Sequence, residues 1–132
     1  PSQGGGPAYY FHIDAYGKLL IAGGEYRPPP DRLRSVRNHV VNDPAGFGKV
    51  VKDKGLNDVF GGLQQEDRLL RLPKGFDANA PHQEALKLKS FVAWREISVR
   101  KLQPSALPSL LLEDFRKAAP LVKWLRTAGP TA

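Results

Sequence analysis

The stretch Tyr9-Tyr-Phe-His-Ile-Asp14, running through Ala15-Tyr-Gly17 into Lys18-Leu-Leu-Ile-Ala22, decides the fold. Tyr9, Phe11 and Ile13 alternate with Tyr10, His12 and Asp14, the period of a half-buried strand. The Asp-Ala-Tyr-Gly turn joins it to a second apolar run, which predicts an antiparallel hairpin. Gly23-Gly24 follows, too short for a phosphate loop, and suits a strand that bends or lets another backbone approach closely.

Beyond the hairpin, Pro28-Pro-Pro30 removes backbone donors and holds its neighbours extended, so Glu25–Pro30 reads as a connector. The prolines and Asp31 suit the first turn of a helix whose buried stripe is Leu33, Val36 and Val40. Arg32, Arg34 and Asn38 fall away from that stripe, and Arg37 lies beside it, four residues after Leu33. Asp43-Pro44 is a helix start, with aspartate as cap and proline at the first position. Phe47, Val50 and Val51 form its core face and Gly55 its stop. Leu56–Glu66 reads as a loop with one helical turn, Arg68–Leu72 as a short strand, Pro81–Lys87 as a short helix and Ser90–Ile97 as a strand. Ser105–Thr127 reads as helical, with Pro120 predicting a kink or two consecutive helices.

The expected fold is therefore α+β: an antiparallel sheet with an N-terminal hairpin, covered by several short helices, and a C-terminal helix. Residues 1–7 read as a flexible tail rich in glycine, and residues 8–128 as a single domain. The 132 residues and 41% hydrophobic content are ordinary globular composition. With no cysteine there is no disulfide, thiolate metal site or cysteine nucleophile, and a cytoplasmic location is expected. No run approaches the ~18 apolar residues of a spanning helix, so no membrane partner is expected. The absence of methionine suggests processing or a piece of a longer chain.

A net charge of +7 favours acidic partners. Arg27, Arg32, Arg34 and Arg37 form the densest basic cluster, with Tyr26 beside them; guanidinium groups suit phosphate and a ring suits a base, so an anionic ligand or nucleic acid is the candidate partner, with Arg27, Arg34 and Arg37 as its candidate contacts. The competing reading is a solvated helix face with Arg37 paired to a carboxylate. In Lys74-Gly-Phe-Asp77, Lys74 could stand beside free amides as an anion site, whereas Gly75 and Phe76 have structural work as turn and anchor, and Asp77 or Asn79 as cap of the helix that follows. His12 with Asp14 could serve acid and base roles or simply face solvent. His12, His39 and His82 are far apart in sequence, so no metal site is expected, and no nucleophile-elbow or phosphate-loop motif implies a cofactor.

Five landmarks in order carry a family resemblance: Tyr9-Tyr-Phe-His-Ile13, Ala22-Gly-Gly-Glu-Tyr-Arg-Pro28, Leu33-Arg-Ser-Val-Arg37, Leu70-Arg-Leu-Pro-Lys-Gly-Phe-Asp77 and Glu84-Ala-Leu-Lys-Leu-Lys-Ser-Phe91. The chain resembles the C-terminal half of a widespread bacterial and fungal family of conserved hypothetical proteins, a domain of unknown function. The resemblance implies a mixed α+β fold and a longer family domain whose N-terminal half, helical and bearing a basic motif, this sequence lacks. Similar sequences often place a histidine where this one has Ala80, with His82 two residues on. Three functions follow as expectations: a non-enzymatic module binding an anion through Arg27, Arg34, Arg37 and Lys74; part of an enzyme site, completed by the missing half, to which Lys74, Asp77 and Arg37 contribute; or an oligomerisation role in which a second copy covers apolar surface.

Overall fold

Strand β2, Lys18–Glu25, is the centre of the molecule because it is hydrogen-bonded on both sides, to β1, Ala8–Ile13, and to β3, Phe91–Ser98, both antiparallel. The computed structural model describes residues 6–129, so most of the predicted tail lies outside the described residues. The hairpin is as predicted: Asp14 accepts from the amides of Tyr16 and Lys18 at 2.8 and 2.9 Å, and Gly17 takes the positive φ of 80° that closes the turn.

Register sorts the strands into two faces. Tyr9, Gly23 and Ala93 stand in one row, and Tyr10, Ala22 and Trp94 in the next row on the other face. The first face packs against helix α4, Leu107–Arg126: a Cβ on Gly23 would lie 2.5 Å from the Cβ of Ala118, and the ring of Tyr9 sits 5.4 Å from that of Phe115. The glycine pair is thus where sheet and helix come closest. The core continues into helices α1, Pro30–Asn42, and α2, Pro44–Val51, through Val36, Val40, Phe47, Phe91 and Leu125. Asp43 caps α2 as its position predicts, accepting from Gly46 N at 3.1 Å.

The segment after α2 departs from expectation. Gly55 is not a stop but lies in the first turn of helix α3, Lys54–Phe60, where Asp53 caps Leu56 N and Gly61, at φ 74°, ends the helix. Arg68–Leu72 is not a strand: only an isolated bridge, Arg68 to Leu88, forms there, and Leu70 is 95% exposed. A strand needs a partner along its length, and the free edge of β3 is instead met by Gln64 N, which donates to Val92 O at 2.8 Å. The 83–87 segment is a 3-10 helix that begins at His82, so Asp77 does not cap it; Asp77 accepts from Asn79 N in its own turn. Pro120 does not divide the last helix. Its missing donor is tolerated because Ala118 before it and Leu121, Val122 and Leu125 after it are all buried.

Candidate anion-binding site

Three consecutive prolines give α1 a rigid entry, and the side of α1 that is not core becomes one wall of a cleft. Leu33 and Arg37, one helical turn apart, lie on this wall with Pro28 and Pro30. The facing wall is the irregular 66–76 segment, held to the chain after the 3-10 helix by Leu69 N to Lys87 O at 2.7 Å and Lys89 N to Asp67 O at 3.0 Å. Between the walls lie two adjoining concavities that share Pro28, Pro30, Leu33 and Arg37. One, of about 440 Å³, also takes in Arg27, Asp67 and Lys89; the other, of about 420 Å³, takes in Arg34, Lys74 and Phe76. Both fall within the roughly 300–1,000 Å³ usual for small-molecule sites.

Arg27, Arg34, Arg37 and Lys74, scattered over 48 positions of sequence, therefore line one continuous cleft. Lys89 and Asp67 join them without having been singled out in the sequence. The only signal for Lys89 is its alternation with buried Leu88, and Asp67 has none. Asp77 and His12 line neither concavity; His12 is exposed on β1 and Asp77 is engaged with Asn79.

Arg37 is the unusual member. It is 8% exposed, and its Nη2 donates to Leu88 O at 2.8 Å, yet among the described residues no carboxylate pairs with it and its Nε has no hydrogen-bond partner. Burial lowers its pKa from the ordinary arginine value, a cost in desolvation that no carboxylate among the described residues offsets. Asp67 carries the complementary defect. Its Oδ2 is 3.2 Å from Arg27 Nε and its Oδ1 is 4.0 Å from Lys89 Nζ, but Oδ2 is buried without a hydrogen bond. Among the described residues, these are the two buried side-chain polar atoms without a hydrogen bond, and of the two only Asp67 Oδ2 has an opposite charge beside it. Such orphans are few in native proteins and call for an explanation.

Arg32 shows what a satisfied guanidinium looks like on the same helix. The sequence places it away from the buried stripe, but it is 2% exposed, bidentate to Glu25 at 2.7 and 2.9 Å, and donates further to Leu125 O and Gly129 O. Arg95 likewise grips Asp114 at 2.7 and 2.9 Å. Both arginines fasten the sheet to helices, their charges matched by a carboxylate within the fold.

A family model for a conserved hypothetical protein, DUF2461, matches residues 1–124. The chain belongs to this family. No curated protein and no solved structure matches it. DUF2461 membership assigns no chemistry, so the cleft has to be read from its own residues. Among those described, no three metal-ligating side chains come together, and no helix is long and apolar enough to cross a membrane.

Proposed function

We propose that this chain is a non-enzymatic binding module for an anionic ligand, held in the cleft between α1 and the 66–76 segment. Arg37 carries the reading: a buried guanidinium with an unused Nε, at the wall shared by both concavities, has the charge and the spare donor that a bound anion would match. Arg34, Lys74, Arg27 and Lys89 supply the surrounding positive field against the two carboxylates of Asp31 and Asp67. Asp77, which an enzymatic reading would set beside Lys74 and Arg37, lines neither of these concavities.

Calorimetric titration with inorganic pyrophosphate at low and high salt tests this. Binding is expected at low salt and weakens as salt rises. The double variant Arg34→Ala/Lys74→Ala removes two exposed charges and no core contact. At about 1 kcal/mol per close charge in water, it lowers affinity roughly ten- to thirtyfold. Flat heats at both salt concentrations would overturn the proposal.

A further inference from the structure

The Arg27–Asp67 ion pair does not end the cleft, because both residues also line a third concavity, of about 290 Å³, on its far side. Its other walls are the rings of Tyr26 and Trp94, 6.5 Å apart and inclined by 33°, with Gln64, Glu66 and Ser90. We infer that the cleft takes a nucleotide unit, with phosphate against Arg37, a sugar hydroxyl at Asp67 and the base on the Tyr26 and Trp94 side. The inference rests on the anion reading above and names the class of ligand.

Three observations made independently of one another fall in the order of a nucleotide's parts. Arg37 Nε is a buried donor lacking an acceptor, which a phosphate oxygen supplies. Asp67 Oδ2 is a buried acceptor that faces Arg27 Nε at 3.2 Å without a hydrogen bond; the residue borders both the basic and the aromatic concavity, where a sugar linking phosphate to base would present its hydroxyls. The third concavity joins π-faces to polar edges. An aliphatic ligand there would strip water from Gln64, Glu66 and Ser90 without replacing its hydrogen bonds, whereas a base stacks on the rings and offers N–H groups at its edge. Glu66 accepts only, so an exocyclic amine or ring N–H of a base can satisfy it.

The backbone supports the same placement. Arg27 adopts φ 41°, rare for a residue with a side chain, and its amide donates to Ser90 Oγ at 2.8 Å. This conformation sets Tyr26 in the aromatic concavity while Arg27 itself reaches both, its guanidinium 5.5 Å from the Tyr26 ring. Strain retained where two subsites meet is a recurrent property of binding sites.

The test titrates the intact chain with adenosine monophosphate, inorganic phosphate and a short oligoadenylate, followed by calorimetry and tryptophan fluorescence. Of the two tryptophans, Trp124 is buried, stacked on His39 and bonded to Asp43, so a ligand-dependent change in emission reports Trp94. The nucleotide is expected to bind at least tenfold more tightly than phosphate and to quench Trp94, while phosphate leaves the emission unchanged. Tyr26→Ala, at a ring already 37% exposed, is expected to lower nucleotide affinity roughly tenfold and leave phosphate affinity unaltered. Arg34→Ala/Lys74→Ala lowers both. Oligoadenylate binding much more tightly than the mononucleotide, with a steeper salt dependence, identifies a nucleic-acid strand as the source; equal affinity identifies a free nucleotide. Phosphate and nucleotide binding equally, or Tyr26→Ala without effect on the nucleotide, would overturn the inference and leave the anion site standing. Binding of neither overturns both.

Discussion

Arg32 and Arg37 are five residues apart on one helix, both nearly inaccessible, and their surroundings assign them opposite roles. Arg32 meets two carboxylate oxygens and two carbonyls, so its charge is matched within the fold. Glu25→Ala would leave that guanidinium buried without its counter-charge, a loss of about 3–5 kcal/mol. Urea denaturation should show the midpoint fall accordingly, and a drop below about 1 kcal/mol would mean that water replaces the carboxylate without penalty. Tyr10 gives a second residue-level prediction, in alkali. Burial, followed by the neighbouring Tyr26, raises its phenol pKa to about 12 from the ordinary 10.0. The folded state therefore holds a proton that the unfolded chain releases, and this stabilisation is full below pH 10.0 and is lost as pH rises to about 12. Tyr10→Phe should flatten that part of the stability curve in alkaline unfolding and remove the tyrosinate absorbance step near pH 12. An unchanged curve would place the alkaline loss at other groups.

Elements that state their own boundaries were legible; those defined by distant partners were not. The hairpin declares itself through alternation and Asp14, and α2 through Asp43-Pro44, because these signals act within a few residues. Helix α3 was obscured by Gly55, which reads as a terminator; a Cβ there would come 2.9 Å from Lys117 Cδ, a contact from α4 that local sequence cannot show. Arg68–Leu72 has strand composition, but the edge of β3 is met by Gln64, so pairing is decided 20 or more residues away. Gly23 and Gly24 give the test at this scale. A Cβ on Gly23 would lie 2.5 Å from Ala118 Cβ, and one on Gly24, at φ 134°, would lie 2.3 Å from Phe91 O. Gly23→Ala should cost about 1–3 kcal/mol by forcing α4 off the sheet. Gly24→Ala should cost more, because backbone rather than a side chain opposes it and the torsion itself is strained. Thermal unfolding of the two variants checks the order, and equal stability of Gly24→Ala and the parent would contradict the close approach.

At the scale of the molecule, the cleft is where the excess of positive charge becomes directional. The cations that line it come from the proline connector, α1, the Lys74 turn and the chain leading into β3, which no sequence window spans. Residue type alone could nominate Arg27, Arg34, Arg37 and Lys74, since each is basic in a dense or glycine-bearing stretch. It could not nominate Asp67, whose importance arises from standing between Arg27 and Lys89. That position makes Asp67 a member of the cleft whose removal should act in the opposite direction from that of the cations. Asp67→Asn keeps the shape and an acceptor oxygen but removes the charge that offsets Arg27 and Lys89. Both cations then face the concavity with nothing to compete for them, and pyrophosphate should bind several-fold more tightly at low salt, in line with about 1 kcal/mol per close charge in water. The gain should shrink at high salt, where exposed charges are screened beyond about 3 Å at 1 M. A substitution that merely loosened the cleft would weaken binding at every salt concentration. Titrations of the parent, Asp67→Asn and Arg34→Ala/Lys74→Ala across a salt series therefore separate electrostatics from disrupted structure: affinity must rise in the first variant, fall in the second, and converge as salt increases.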